Sequence, residues 1–353
     1  MSATEEARLH YPFGSKLPPL GEVMEVAPGV RWLRMGLPFA LDHINLWLLR
    51  DVADDGTPGW AIVDCGIDNP ATRAAWQQVF ANGLDGLPVV RVIVTHMHPD
   101  HIGLAHWLCE HWACRLWIST TDWQAARMAS GNLHAFGGAQ TVNFFRRHGL
   151  TDAATLALLD DRSGYYAQMV PAVPAQHRRL LDGQTLRIGE HSWTTIVGYG
   201  HAPEHMALHC AALGVLISGD MVLPRISTNV SVIDLEPEAD PLTLYLQSLQ
   251  RYLPLADNTL VLPSHGKPFV GLHERISQLQ QHHEDRFVEV VAACAAAPQS
   301  AADLLPVLFK RALDAHQTTF AMGESVAHLH ALLYQGRLRV VHTDDGVIRF
   351  STP

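Results

Sequence analysis

The 353-residue chain has no run approaching the roughly 18 apolar residues that a membrane span requires, so no bilayer-spanning segment is expected. Cysteine is scarce and scattered. Cys65, Cys109, Cys114, Cys210 and Cys294 are odd in number and form no C-x-x-C pair. They read as reduced, mostly buried thiols and not as a disulfide framework. The N-terminal Met-Ser-Ala-Thr-Glu-Glu-Ala-Arg has early acidic residues and no apolar core of signal-peptide length, which points to a cytoplasmic protein. Basic charge is short as well: 25 Lys plus Arg face 35 Asp plus Glu, a formal net charge of −10. A surface that grips nucleic acid needs clustered cations to meet the phosphates, so nucleic acid is not the expected partner. There is no internal repeat and no low-complexity segment. The length allows one large domain plus a smaller one, with an apolar content ordinary for a globular enzyme.

Metal-ligating side chains, by contrast, are dense in one place. Thr95-His-Met-His-Pro-Asp-His-Ile-Gly103 sets His96, His98, Asp100 and His101 on one short stretch. Leu87 to Val94 before it is an apolar, β-branched run that reads as a buried strand, and Ile102 to Leu108 after it as the start of a helix. The ligands therefore fall in a strand-to-helix loop, with Asp100 near a helix N-terminus, where a carboxylate is favoured. Imidazole with carboxylate suits Zn²⁺, Fe or Mn²⁺ better than Ca²⁺ or Mg²⁺, which prefer all-oxygen shells.

Three more candidate ligands follow buried strands. His201 comes after the strand at Trp193 to Val197, Asp220 ends the run Val215 to Ser218, and His265 follows Thr259 to Leu262. A single sheet edge brings such strand ends together. Five His and two Asp are enough for two divalent ions, each with an open position for water.

This ordered set resembles the metallo-β-lactamase superfamily over roughly residues 22 to 272. The resemblance implies an α/β fold, a four-layer αββα sandwich. It implies that His96, His98 and His201 hold one ion, that Asp100, His101 and His265 hold the other, and that Asp220 bridges them. Asp64, in Ile-Val-Asp-Cys-Gly66, matches the first motif, an acidic residue that supports the ligand loop from behind. Cys65 replaces the usual small residue after it, and Glu204 stands where the third motif commonly has Gly. His98 at the second ligand position argues against flavodiiron oxygen reductases, which use a carboxylate there. His205, four residues beyond His201, reads as a supporting histidine.

Other segments shape the expected substrate site. Residues 120–176 read as a helical insert with loosely spaced aromatics, Phe136, Phe144, Phe145, Tyr165 and Tyr166, which either shape the pocket or pack the insert down. From His273 the pattern predicts three helices (272–297, 300–313 capped by Ser300, and 323–335) and a β-hairpin of strands 338–342 and 346–350. Such a winged-helix-like module, residues 273–353 beside a catalytic domain 1–272, resembles the extension of lactamase-β-like-2 proteins and fungal polyketide-releasing thioesterases. It holds seven Lys plus Arg against nine Asp plus Glu, and its third helix has no cation, so it reads as cleft cover or a homodimer contact and not as a DNA reader.

The expected function is a metal-dependent hydrolase of ester-like bonds, first a thioester such as an acyl-CoA or a carboxylic ester, acting through a hydroxide bridging two divalent ions. Zn²⁺ is the first candidate metal, with Fe or Mn as alternatives. Asp100 and Asp220 are the expected catalytic groups, orienting the water and moving its proton. Arg225, Asn229 and Tyr245, in segments after Asp220 that are similar to the thioesterase-like branch, are candidate substrate contacts. The alternatives are a single-strand-specific endoribonuclease and a mononuclear iron enzyme of the persulfide dioxygenase kind.

Overall fold

The computed structural model describes residues 8–39, 41–133 and 137–353; Phe136 lies outside them. The first half runs β1 (Met24–Ala27), β2 (Val30–Gly36), β3 (His43–Val52), β4 (Pro58–Val63), α1 (Pro70–Asn82), β5 (Val89–Ile93), α2 (Pro99–Ile102), α3 (Ala105–His111) and β6 (Leu116–Ile118). The insert supplies α4 (Thr120–Ser130), α5 (Ala139–Arg147), α6 (Ala153–Asp161) and α7 (Tyr165–Met169). Then come β7 (His177–Arg179), β8 (Thr185–Ile188), β9 (His191–Gly198), β10 (His205–Cys210), β11 (Val215–Gly219), α8 (Pro241–Gln250) and β12 (Leu260–Pro263). The chain closes with α9 (Leu272–Ala296), α10 (Leu305–Leu308), α11 (Ala315–Tyr334), β13 (Arg339–His342) and β14 (Ile348–Ser351).

Strands β1 to β7 form one sheet in sequence order, and β12-β11-β10-β9-β8 form a second. Three apolar layers separate them from each other and from the helices. Trp32, Trp47, Trp193 and Met206 fill the space between the sheets. Ile62, Val92 and Leu116 face the α1 side with Trp76 and Val79, and Leu216 and Val261 face the opposite helices with Leu279, Val326 and Leu329. The αββα sandwich expected from the sequence is thus built, because each sheet is apolar on both faces and must be covered twice.

Topology fixes where the loops emerge. β4 and β5 are parallel, and β3 is antiparallel to β4, so the ends of β4 and β5 share one edge with the start of β3. β11 and β12 are parallel too, and β10 starts where β9 ends. All the ligand-bearing loops therefore open at one mouth of the sandwich.

The C-terminal region departs from expectation. The helix predicted over 300–313 shrinks to the single turn α10, because Pro306 cannot sit in a helix interior and Ser300 caps only a turn, its Oγ accepting from Asp303 N at 3.3 Å. The helix predicted to begin at Gly323 begins eight residues earlier, at Ala315, capped by Asp314, which accepts from Gln317 N at 2.7 Å. Gly323 lies inside it for a packing reason: a Cβ there would meet Ser231 Cβ at 2.7 Å. The extension is therefore two long helices, one short turn and the predicted hairpin. It shares one core with the second sheet through Leu272, Ile276 and Leu279.

Next to Gly323, Glu324 packs against Asn229, and burial pushes its carboxyl up to about 7 although Arg286 and Asn229 pull it down. A carboxyl with a raised folded-state pKa favours folding while protonated, and that contribution is lost as pH climbs from about 4.5 to about 7. Glu324→Gln should match wild-type Tm near pH 5 and exceed it at pH 8. An equal change at both pH values would rule out Glu324 as the titrating group.

Candidate metal centre

The ligand loop leaves β5 through Thr95, and Asp64 fixes it. Asp64 ends the β4 segment in a left-handed conformation, φ 63°, that few non-glycine residues adopt. Its carboxylate accepts Thr95 N at 2.8 Å, Thr95 Oγ1 at 2.9 Å and His101 Nδ1 at 2.8 Å. The helix expected after the loop is interrupted: α2 is one turn, and α3 starts after Gly103.

Two groups of ligand atoms converge at the mouth. His96 Nε2, His98 Nδ1 and His201 Nε2 lie 2.9, 3.1 and 3.2 Å from one another. Imidazoles around a tetrahedral ion at 2.0–2.1 Å would stand about 3.3 Å apart, so the triangle has the size of a metal site. In the second group His265 Nε2 is 3.4 Å and His101 Nε2 3.7 Å from Asp100 Oδ2. Asp220 stands between the groups. Its Oδ2 is 3.3 Å from His201 Nε2, while its Oδ1 is 3.6 Å from His101 Nε2 and 3.5 Å from His265 Nε2.

Outer hydrogen bonds fix the tautomers. His201 Nδ1 donates to Asn229 O at 2.7 Å, His265 Nδ1 to His43 O at 2.8 Å, and His101 Nδ1 to Asp64. Thr95 Oγ1, its own proton spent on Asp64, accepts from His96 Nδ1 at 3.0 Å. Each of these four imidazoles therefore turns its Nε2 inward. His101 Nε2 and Asp220 Oδ1 are buried and lack a hydrogen-bond partner among the described residues. A cation that accepts several lone pairs at once is what such a set lacks, and among the described residues His96/His98/His201 and Asp100/His101/His265 are groups that could hold one.

The electrostatics agree. Burial and the neighbouring His201 push His98 down to about 3, and burial with His101 and His98 likewise holds His96 well below its ordinary value, so this side offers neutral imidazoles. On the other side burial opposes charge on His265, but Asp220 and Asp100 outweigh it and hold the imidazole up to about 10. The carboxylate-rich half thus draws positive charge.

The remaining candidates hold the ligands from behind. His205 is fully buried, and its Nε2 accepts from Asp220 N at 3.2 Å. Gly219 is required beside it, at φ 54° and with no room for a Cβ, which would fall 2.1 Å from that Nε2. Asn229 orients His201 through its carbonyl. Tyr245 is fully buried and donates to Met221 O at 3.1 Å, so it braces the Asp220 loop; burial leaves it no surface for the substrate contact expected of it. Arg225 stands exposed on the loop that follows. The insert's aromatics divide: Phe144 and Phe145 pack into the core, whereas Tyr166 donates to Met97 O at 2.5 Å beneath the ligand loop.

Sequence reasoning missed Asp122. Buried on the first turn of α4, it accepts Met97 N, between ligands His96 and His98, on Oδ1 at 2.8 Å. Its Oδ2 accepts Glu204 N, in the loop of His201, at 2.8 Å, and Ser119 Oγ at 2.9 Å. One carboxylate therefore ties two ligand loops together. Glu204, in place of the usual Gly, adds a bond of 2.5 Å from Thr121 Oγ1 to its own Oε2.

Fold and site together define a metallo-hydrolase of the αββα sandwich class. The chain belongs to the metallo-β-lactamase superfamily, whose family model matches residues 41–265, and a metallo-β-lactamase-like C-terminal domain matches residues 287–353. It is similar to a β-lactamase domain protein from Burkholderia ambifaria, at 55% identity and a TM-score of 0.94, covering 99% of this chain and 100% of that one. A metallo-β-lactamase family protein from Thermus thermophilus is 26% identical with a TM-score of 0.76, over 93% and 100% of the two chains. A probable metallo-hydrolase of Bacillus subtilis, YqjP, is 25% identical over 85% of this chain and 91% of its own. The acyl-coenzyme A thioesterase MBLAC2 of Gallus gallus is 25% identical over 72% and 83%.

Proposed function

We propose that this protein hydrolyses a thioester or carboxylic ester at a dinuclear centre of divalent ions, zinc in the first instance. His96, His98 and His201 hold one ion, and Asp100, His101 and His265 the other. Asp220, with Oδ2 beside His201 and Oδ1 beside His101 and His265, would serve both. The observation that carries this reading is the pair of ligand triangles with the Asp220 carboxylate between them, where His101 Nε2 and Asp220 Oδ1 are buried without a hydrogen-bond partner among the described residues.

Bound divalent ions supply Lewis acidity and bring the pKa of bound water to about 7. The chain's own part is to exclude competing chemistry and to place protons. Asp100, the more exposed of the two ligand carboxylates with 18% of its side chain accessible against 9% for Asp220, faces the mouth. It orients the attacking water with Asp220 and takes up its proton. Cys65, the thiol nearest the site in sequence, is fully buried, and burial together with Asp64 raises its pKa well above the ordinary value, so it is no nucleophile. The kinship with acyl-CoA thioesterases supports an acyl substrate that reaches the ligands through the mouth.

The test is turnover of a panel of thioesters, esters, lactones and phosphodiesters by protein of measured metal content. Thioester or ester hydrolysis lost on chelation and restored by Zn²⁺ is expected. Phosphodiester cleavage alone, or activity indifferent to chelation, would refute the assignment.

A further inference from the structure

Arg34 is a half-buried cation at the metal mouth. It sits near the end of β2, opposite Asn45 on β3, and the sheet topology brings both to the edge where the ligand loops emerge. The face is fixed by its neighbours. Trp32 and Trp47, two positions away on each strand, lie between the sheets. Asn45 itself reaches Pro263 O at 2.8 Å and Gly266 O at 3.0 Å, on either side of ligand His265. Arg34 therefore points into the same inter-sheet mouth, within electrostatic range of His43.

Its Nε is buried and has no hydrogen-bond partner among the described residues. The acceptors around it have other donors of their own. Asp42 Oδ1 takes the His43 Nδ1 proton at 2.6 Å, His43 Nε2 accepts Gly266 N at 2.9 Å, and the His43 carbonyl accepts His265 Nδ1. Asp42 influences Arg34 only through space, and burial lowers the pKa of the guanidinium. An unpaired buried donor is a standing penalty, greater for a charged group, and an acceptor brought by a ligand relieves it. A guanidinium presents a planar fork matched to carboxylate and phosphate oxygens.

We propose that Arg34 is the anion subsite of the mouth, and that it binds an oxyanion carried by the substrate. Resting on the esterase reading above, this narrows the substrate class to an anionic ester or thioester. The oxyanion is a carboxylate on the acyl side or a phosphate on the leaving-group side.

The test pairs substrates with and without each anion: succinyl against butyryl thioesters of N-acetylcysteamine, and butyryl-CoA against butyryl-N-acetylcysteamine. Arg34→Met should lower one of the two kcat/KM ratios roughly 10- to 100-fold, mainly through KM, and Arg34→Lys should recover part of it. The ratio that moves names the source of the anion. If neither moves, the subsite is refuted. A second readout needs no turnover: succinate or inorganic phosphate should raise the Tm of the purified wild-type protein more than that of Arg34→Met. Equal shifts refute the subsite. Absence of all turnover with a wild-type-specific shift would refute the esterase reading and leave the subsite standing.

Discussion

Asp220→Ala should reduce bound metal from two ions per chain to at most one and lower ester or thioester hydrolysis by at least roughly 10³-fold, beyond the 10–100-fold typical of residues that only support a ligand. The reason is geometric. Asp220 places Oδ2 at 3.3 Å from His201 Nε2 and Oδ1 at 3.5 Å from His265 Nε2, so both ligand groups depend on one side chain. Asp220→Asn sharpens the result. It keeps the volume but presents one oxygen and one NH₂, so it should serve one group and repel the other. Its metal content should fall like that of the alanine variant. Elemental analysis of both variants beside their kcat/KM values tests this, and two retained ions with full hydrolysis would defeat the bridging role.

Asp122→Asn is expected to have the next largest effect although the residue touches no ligand atom. Both of its oxygens face donors: Met97 N on one, Glu204 N and Ser119 Oγ on the other. An amide must turn its NH₂ toward one of those N–H groups, which frees either the loop of His96 and His98 or the loop of His201. Metal affinity should fall roughly 10- to 100-fold, measured by competition with a chromophoric chelator, with kcat/KM falling alongside when metal is limiting. Saturating metal should restore much of the rate, because Asp122 positions ligands and does no chemistry. Ser119→Ala, which removes one donor and leaves the two loop bonds, should be milder. An Asp122→Asn protein with wild-type affinity would show that the loops hold themselves.

These two residues mark how far the sequence could be read. Asp220 was legible because it ends an apolar strand and completes an ordered set with His96, His98, Asp100, His101, His201 and His265. Spacing along strands maps directly onto one sheet edge, so the sandwich and its mouth were legible too. Asp122 was not legible. Ser-Thr-Thr-Asp reads as a helix start, and nothing local says that its carboxylate collects N–H groups from two loops 25 and 82 residues away. Arg34 was hidden for a related reason: an arginine in a strand signals nothing until the acceptors around it are seen to be taken. Tyr245 failed in the opposite direction, since membership of a plausible segment gives no indication of burial. At the C-terminus the apolar period of 300–313 outvoted Pro306, and the proline prevailed.

The central claim is that two ions sit at this mouth and that the second makes the enzyme active. Titrating metal-free protein with Zn²⁺ while following bound metal and thioester or ester turnover in the same samples tests it most directly. Binding should saturate at two equivalents per chain, with activity rising mainly as the second binds. Saturation at one equivalent with full activity, or activity in the metal-free protein, would contradict it.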